Sequence, residues 1–160
     1  MNYNRFIYHL NLSLPLLHIL LYQAQIGPDL TGLQSGLTLA TRLITAALKG
    51  QFLLIALEAL LLRAQLYDLL GKHPESQKDY VKALELGEPE DVIGIFIDQG
   101  PPVAEALATL GKQNQLEGVQ PDYVARILAA FTGPQPRALS LRVETEPAAL
   151  VEPFSIAVHA

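Results

Sequence analysis

The chain has no cysteine, which rules out a disulfide framework and a thiolate metal site and fits a reducing, cytoplasmic setting. It has no basic excess either. Eleven Lys and Arg stand against sixteen Asp and Glu, a net charge of −5, and the basic residues are scattered rather than gathered into a patch that could hold a phosphate backbone. Direct contact with nucleic acid is therefore not expected. A phosphate-binding Gly-x-x-x-x-Gly-Lys-Ser/Thr loop is missing: Gly71-Lys72 and Gly111-Lys112 lack both the earlier glycine and the following hydroxyl. His9, His18, His73 and His159 are spread along the chain without metal-ligand spacing. Composition and motifs thus point to no cofactor, no metal and no enzyme.

Charge is also absent from one long segment. Residues 6–28 contain no Asp, Glu, Lys or Arg, and Arg5 precedes them, an arrangement that raises the question of a signal peptide or membrane span. His9, Asn11, Ser13, Pro15, His18, Gln23 and Gln25 answer it, since each is costly or unusual at a bilayer centre. The segment reads as a mostly buried helix of a protein not in the membrane, starting near Pro15 with Ser13 as its cap and stopping at Gly27-Pro28.

Half of the residues are hydrophobic, enough for a real core. The clearest helix covers residues 51–70. Gln51, Glu58, Gln65 and Lys72 recur at heptad spacing and line one narrow strip, while leucines, Phe52 and Ile55 fill most of the remaining circumference. A helix of that kind is wrapped on several sides by others. Glu58, Arg63 and Asp68 argue against a span, because each would cost about 2.5 to 3.5 kcal/mol near a bilayer centre. Gly71 closes this helix, and Pro74 and Glu75 open a second whose Tyr80, Val81, Ala83, Leu84 and Leu86 form an apolar face. The two make a helical hairpin, with Tyr67 and Tyr80 facing each other as packing residues.

Ala64, Tyr67, Gly71, Tyr80 and Ala83 have spacing similar to a tetratricopeptide repeat, with Ser76 and Arg63 departing from the pattern. An earlier, weaker copy pairs the first helix with a second over residues 37–48, residues 29–36 forming a glycine-containing turn or frayed first turn. Around Gly87, Glu85, Glu88, Glu90 and Asp91 cluster at a helix boundary, where acidic groups favour the start of the next helix. Residues 92–97 read as helix, because no second strand is available to pair with them. Residues 98–102 are a loop in which Gly100 supplies a positive φ, and helices follow from Pro101-Pro102 and from Pro121-Asp122, the last placing Tyr123, Ile127, Leu128 and Phe131 inward. Residues 133–160, with Pro134, Pro136, Pro147 and Pro153, form a proline-rich irregular linker or tail beyond a helical domain of residues 1–132.

Two blocks carry a resemblance. Phe96-Ile97-Asp98-Gln99-Gly100-Pro101-Pro102 and Pro121-Asp122-Tyr123-Val124-Ala125-Arg126-Ile127-Leu128-Ala129-Ala130-Phe131 resemble the end of the helical-repeat sensor region of MalT-type regulators, the large ATP-binding members of the LuxR family. Gln99 stands where that family more often has glutamate. The interval from Gly27 to Gly71 is also closer to that family's loose repeat than to a standard tetratricopeptide unit. The resemblance implies an all-α fold of antiparallel helical hairpins stacked as a short tetratricopeptide-like solenoid. It further implies a cytoplasmic fragment of a transcriptional regulator that binds a small-molecule inducer or a regulatory protein and contacts neighbouring domains of a longer chain.

Asp98, Gln99, Tyr123 and Arg126 are the candidate ligand or domain contacts. Plainer roles compete with each: turn geometry for the loop, a core aromatic and an exposed arginine for the last helix. Leu150-Val151-Glu152-Pro153 is similar to the segment that leads into the family's helix-turn-helix, but the DNA-reading start does not follow. The expectation is a truncated fragment without ATPase or DNA-binding module, short of upstream repeats, and prone to self-association through uncovered apolar faces. A free-standing tetratricopeptide-like scaffold that binds peptides is the alternative.

Overall fold

The computed structural model describes residues 3–27 and 29–133. Among them are seven α-helices, one 3-10 turn and no strand: α1 Tyr3–Ile26, α2 Leu30–Lys49, α3 Leu53–Leu69, α4 His73–Gly87, the 3-10 turn Glu88–Glu90, α5 Gly94–Asp98, α6 Pro101–Lys112 and α7 Pro121–Thr132. The all-helical expectation holds for these residues. The proline-rich tail and Leu150-Val151-Glu152-Pro153 lie outside them.

Two tight connections set the arrangement. Residues 50–52 and 70–72 leave so little chain between helices that each must turn back along its predecessor. Arg63 of α3 accordingly meets Thr41 of α2, while Gly36 of α2 approaches Leu66 of α3. From α1, Phe6 stacks near Phe52 at 6.0 Å and His18 reaches Glu58 at 2.7 Å, so α1 runs in the same direction as α3 and opposite to α2. α3 is the centre of the molecule, packed against α1, α2, α4, α5 and α6. Ala56, Leu57, Ala59, Leu60, Leu61, Leu62, Ala64 and Leu66 are all buried, which is how a helix apolar nearly all round must sit.

The first helix differs from expectation. It begins at Tyr3, and Pro15 lies in its interior rather than in its first turn. Ser13 is not a cap; its hydroxyl donates to the carbonyl of His9 at 2.7 Å. An interior proline costs about 3 kcal/mol. Leu10, Leu17, Leu21 and Ala24 offset this by burying one face, each leucine contributing about 1.5 to 3 kcal/mol. No helix among the described residues is long and apolar enough to cross a membrane.

The second helix also starts earlier than its periodicity indicates. Residues 30–36 are its first two turns, and Asp29 caps them by accepting from the amides of Thr31 and Gly32. Of the two glycines that suggested a turn, Gly36 serves packing: it is buried, and a Cβ there would stand 3.1 Å from Leu66 Cδ1. Later boundaries agree with the sequence reading except that the helix expected over residues 92–97 covers 94–98, which leaves Val92 and Ile93 outside it and makes Asp98 its last residue rather than part of the loop. Pro74, Pro101 and Pro121 each open a helix, Gly100 has φ 81°, and residues 94–98 are helical. α7 buries Tyr123, Val124 and Ile127, with Leu128 and Phe131 half-buried.

Candidate functional site

Polar groups inside the helical array come first, because they fix what the surface can do. Arg63 is the largest of them. Its Nε and Nη2 donate to the two carboxylate oxygens of Asp79, both at 2.7 Å, its Nη1 donates to Thr41 at 3.1 Å, and the guanidinium lies over the Tyr67 ring at 5.8 Å. One side chain therefore ties α2, α3 and α4 together. The Asp79 hydrogen bonds raise the Arg63 pKa further, against the opposing effect of burial. Sequence reasoning saw in Arg63 a departure from a repeat pattern and a charge against a membrane span, not a brace between helices.

Of the heptad strip, Gln51 and Lys72 lie beyond the ends of α3 and are exposed, while Glu58 and Gln65 face neighbouring elements. Glu58 pairs with His18 across the α1 contact. Gln65 is buried, and its Nε2 donates to the carbonyl of Leu61 at 3.2 Å and to Oε1 of Gln99 at 3.3 Å. Gln99 is thereby a tether between α3 and the turn before α6, a job for an acceptor oxygen and not for a charge. Asp98, its neighbour, is exposed.

Tyr123 and Arg126 lie elsewhere. The Tyr123 ring meets Phe96 edge-on at 6.3 Å, and its hydroxyl donates to the carbonyl of Val92 at 2.6 Å. Burial, reinforced by the charges of Asp91 and Glu88, pushes its pKa up to about 12, so it remains a neutral donor. Arg126 bonds Asp91 at 2.7 Å, with both side chains more than half exposed. Glu88 accepts the amide of Gln120 at the start of α7. The acidic cluster after α4 thus serves α7, two helices further on than the sequence reading placed it, because the fold brings the 3-10 turn to that N-terminus. Of the four candidate residues, Gln99 sits against α3, Tyr123 and Arg126 sit against residues 88–92, and Asp98 is exposed. The surface beside Arg126 is lined by α7 together with Glu88 and Gln120.

A walled groove exists where α6 leans on α5, α7 and α3 and leaves space beside α4. Its volume is about 550 Å³. Asp68, His73, Gln77 and Tyr80 form one wall, and Glu105, Thr109, Gln113 and Gln115 stand on the other side, with Ala106 and Leu110 as apolar surface. Asp68 organises the first wall: one carboxylate oxygen is 3.1 Å from His73 Nδ1, the other accepts from the Tyr80 hydroxyl at 3.3 Å. The two tyrosines read as hairpin packing residues each have a polar partner as well, Asp68 for the Tyr80 hydroxyl and Arg63 for the Tyr67 ring. Burial, and then the Asp68 charge, raise the Tyr80 pKa far above its ordinary value, leaving it protonated.

The groove carries two carboxylates and no Lys or Arg. Its field disfavours phosphates and other anions, while its amides, hydroxyls and apolar floor suit a neutral or cationic ligand with several hydrogen-bonding groups. Asp68, His73 and Ser76 are the residue types of an acyl-transfer triad. Their arrangement is not one: Ser76 is buried beside the Tyr80 hydroxyl, and among the described residues no hydrogen bond joins it to the imidazole. Comparison with protein-family models, curated proteins and solved structures gave no match.

Proposed function

We propose that this chain is a sensor or interaction unit of a MalT-type, LuxR-family transcriptional regulator, a tetratricopeptide-like helical-repeat segment without ATPase or DNA-binding module of its own. The groove between α4 and α6 is its receptor site, for a small-molecule inducer or a segment of a regulatory protein. The observation that carries this reading is that groove's lining: carboxylates, amides and hydroxyls converge over an apolar floor, on the helix that begins at Pro101-Pro102. Support also comes from the alternation of α1, α2, α3 and α4, in which consecutive helices turn back on one another.

Calorimetric titration with neutral polyols, sugars and nucleosides tests the reading, using Thr109→Trp to fill the groove. Saturable heat that disappears in that variant supports it. Binding that survives, or no binding across the set, counts against it. The second reading, a free-standing peptide scaffold, is favoured by Asp68 and Glu105, which complement basic side chains while Gln77, Gln113 and Gln115 match a peptide backbone. A library of basic peptides separates the two. So does a neighbouring reading frame encoding Ser/Thr-x-Arg-Glu and a helix-turn-helix, which only the regulator reading expects.

A further inference from the structure

α1 is apolar on two opposite sides. Leu10, Leu17, Leu21 and Ala24 bury one of them against α2 and α3. Tyr8, Leu12, Leu16, Ile19, Tyr22 and Ile26 make up the other, at steps of three and four residues that keep them on a single face, and all are exposed, from 49% at Leu16 to 72% at Tyr8. The stripe runs about 27 Å along the helix. Its exposed area is on the order of 700 Å², close to the roughly 800 Å² per partner of a stable protein interface. An isolated surface leucine needs no explanation; a continuous stripe of this size does.

We infer that this stripe is the interface of a homodimer in which α1 packs antiparallel against α1 of a second copy. Two features select that occupant. The six positions are spaced nearly symmetrically about a point near residue 17, so that in an antiparallel pair Tyr8 faces Ile26, Leu12 faces Tyr22 and Leu16 faces Ile19 of the second copy, apolar against apolar throughout. A self-complementary patch is what a two-fold interface requires. Charge gives the second feature. Residues 6–28 carry no Asp, Glu, Lys or Arg, but exposed Arg5 precedes the stripe and exposed Asp29 follows it. Antiparallel packing brings the Arg5 end of each copy to the Asp29 end of the other, whereas parallel packing sets Arg5 beside Arg5. The uncharged stripe flanked by opposite charges thus fits a second copy of itself in one orientation.

The lack of cysteine makes the test direct. Full-length chain is expected to run as a dimer in light scattering at micromolar concentration, and Leu16→Lys, which places two ammonium groups near the two-fold axis, is expected to raise the dissociation constant at least 100-fold with unchanged circular dichroism. Under mild oxidation Tyr8→Cys and Ile26→Cys are each expected to stay uncrosslinked alone and to form a disulfide when mixed. A wild-type monomer at every concentration overturns the inference, as does self-crosslinking of Tyr8→Cys, which would show parallel packing. Wild-type monomer that co-sediments with phosphatidylcholine vesicles would also overturn it, assigning the stripe to a lipid surface.

Discussion

The four long helices and the three short ones hold together by different means. α1 to α4 run from 15 to 24 residues, share a leucine and alanine interior, and are cross-braced by the Arg63 to Asp79 pair. α5 to α7 have 5 to 12 residues, and they join the rest through Phe96 and Tyr123 packed beside Gly87 at the end of α4, the Gln65 to Gln99 bond and the Glu88 to Gln120 bond, with no ion pair as buried as Arg63 to Asp79 among the described residues. The contrast teaches that the groove between α4 and α6 lies on a seam between a strongly braced body and a lightly attached one. Such seams are where ligands can shift relative positions at small energetic cost.

The largest expected effect breaks the braced body. Asp79→Ala leaves the Arg63 guanidinium mostly buried without its carboxylate, and urea denaturation is expected to show a loss of about 4 kcal/mol. Replacing both partners, as Arg63→Met with Asp79→Leu, is expected to recover most of it. Phe96→Ala probes the other body by removing a fully buried ring, with an expected cost of about 3 kcal/mol. Hydrogen exchange is expected to locate that loss in α5 to α7 while α2 and α3 keep their protection; uniform loss across all seven helices would erase the distinction.

The hinge between the two bodies is the next target. A Cβ at Gly87 would stand 2.5 Å from the Tyr123 hydroxyl and 3.0 Å from Leu57 Cδ1, so Gly87→Ala must displace a side chain already fixed by Val92 and Phe96. About 2 kcal/mol of stability is expected to go, with faster exchange in α7.

Alkaline pH acts on both bodies in the same direction. Folding holds the Tyr80 and Tyr123 pKa values above the ordinary value of 10, so the unfolded chain loses these protons first. The stabilisation is complete below pH 10 and is lost as pH rises through about 12 for Tyr123, and over a range extending further up for Tyr80. Urea midpoints are expected to fall between pH 10 and pH 12, and Tyr123→Phe to reduce the slope of that fall. The smallest effect belongs to Arg126→Ala, which removes an exposed ion pair and is expected to change stability by no more than about 0.5 kcal/mol.

Much of this could be read in advance. Prolines announced the starts of α4, α6 and α7, since a proline in a first turn sacrifices no helical hydrogen bond, and the near-uniform apolar circumference of α3 announced a central helix. The early starts of α1 and α2 were hidden by Pro15, Gly32 and Gly36, because local propensity costs of about 1 to 3 kcal/mol are outweighed by tertiary burial that periodicity does not measure. Of the site, Gln99 was visible as a position but not its bond to Gln65, 34 residues earlier. The groove itself had no sequence signature. It depends on where α6 comes to rest beside α4.

Helix, turn and charge followed from the order of residues, because φ preferences, capping and heptad spacing act over a few positions. Which apolar face is covered did not. On α1, Leu10, Leu17 and Leu21 are chemically indistinguishable from Leu12, Leu16 and Ile19, yet the first three are buried and the others face outward. Burial of apolar surface has no preferred direction along a helix. Only the placement of α2 and α3 on one side of α1 broke that equivalence and left the second stripe bare.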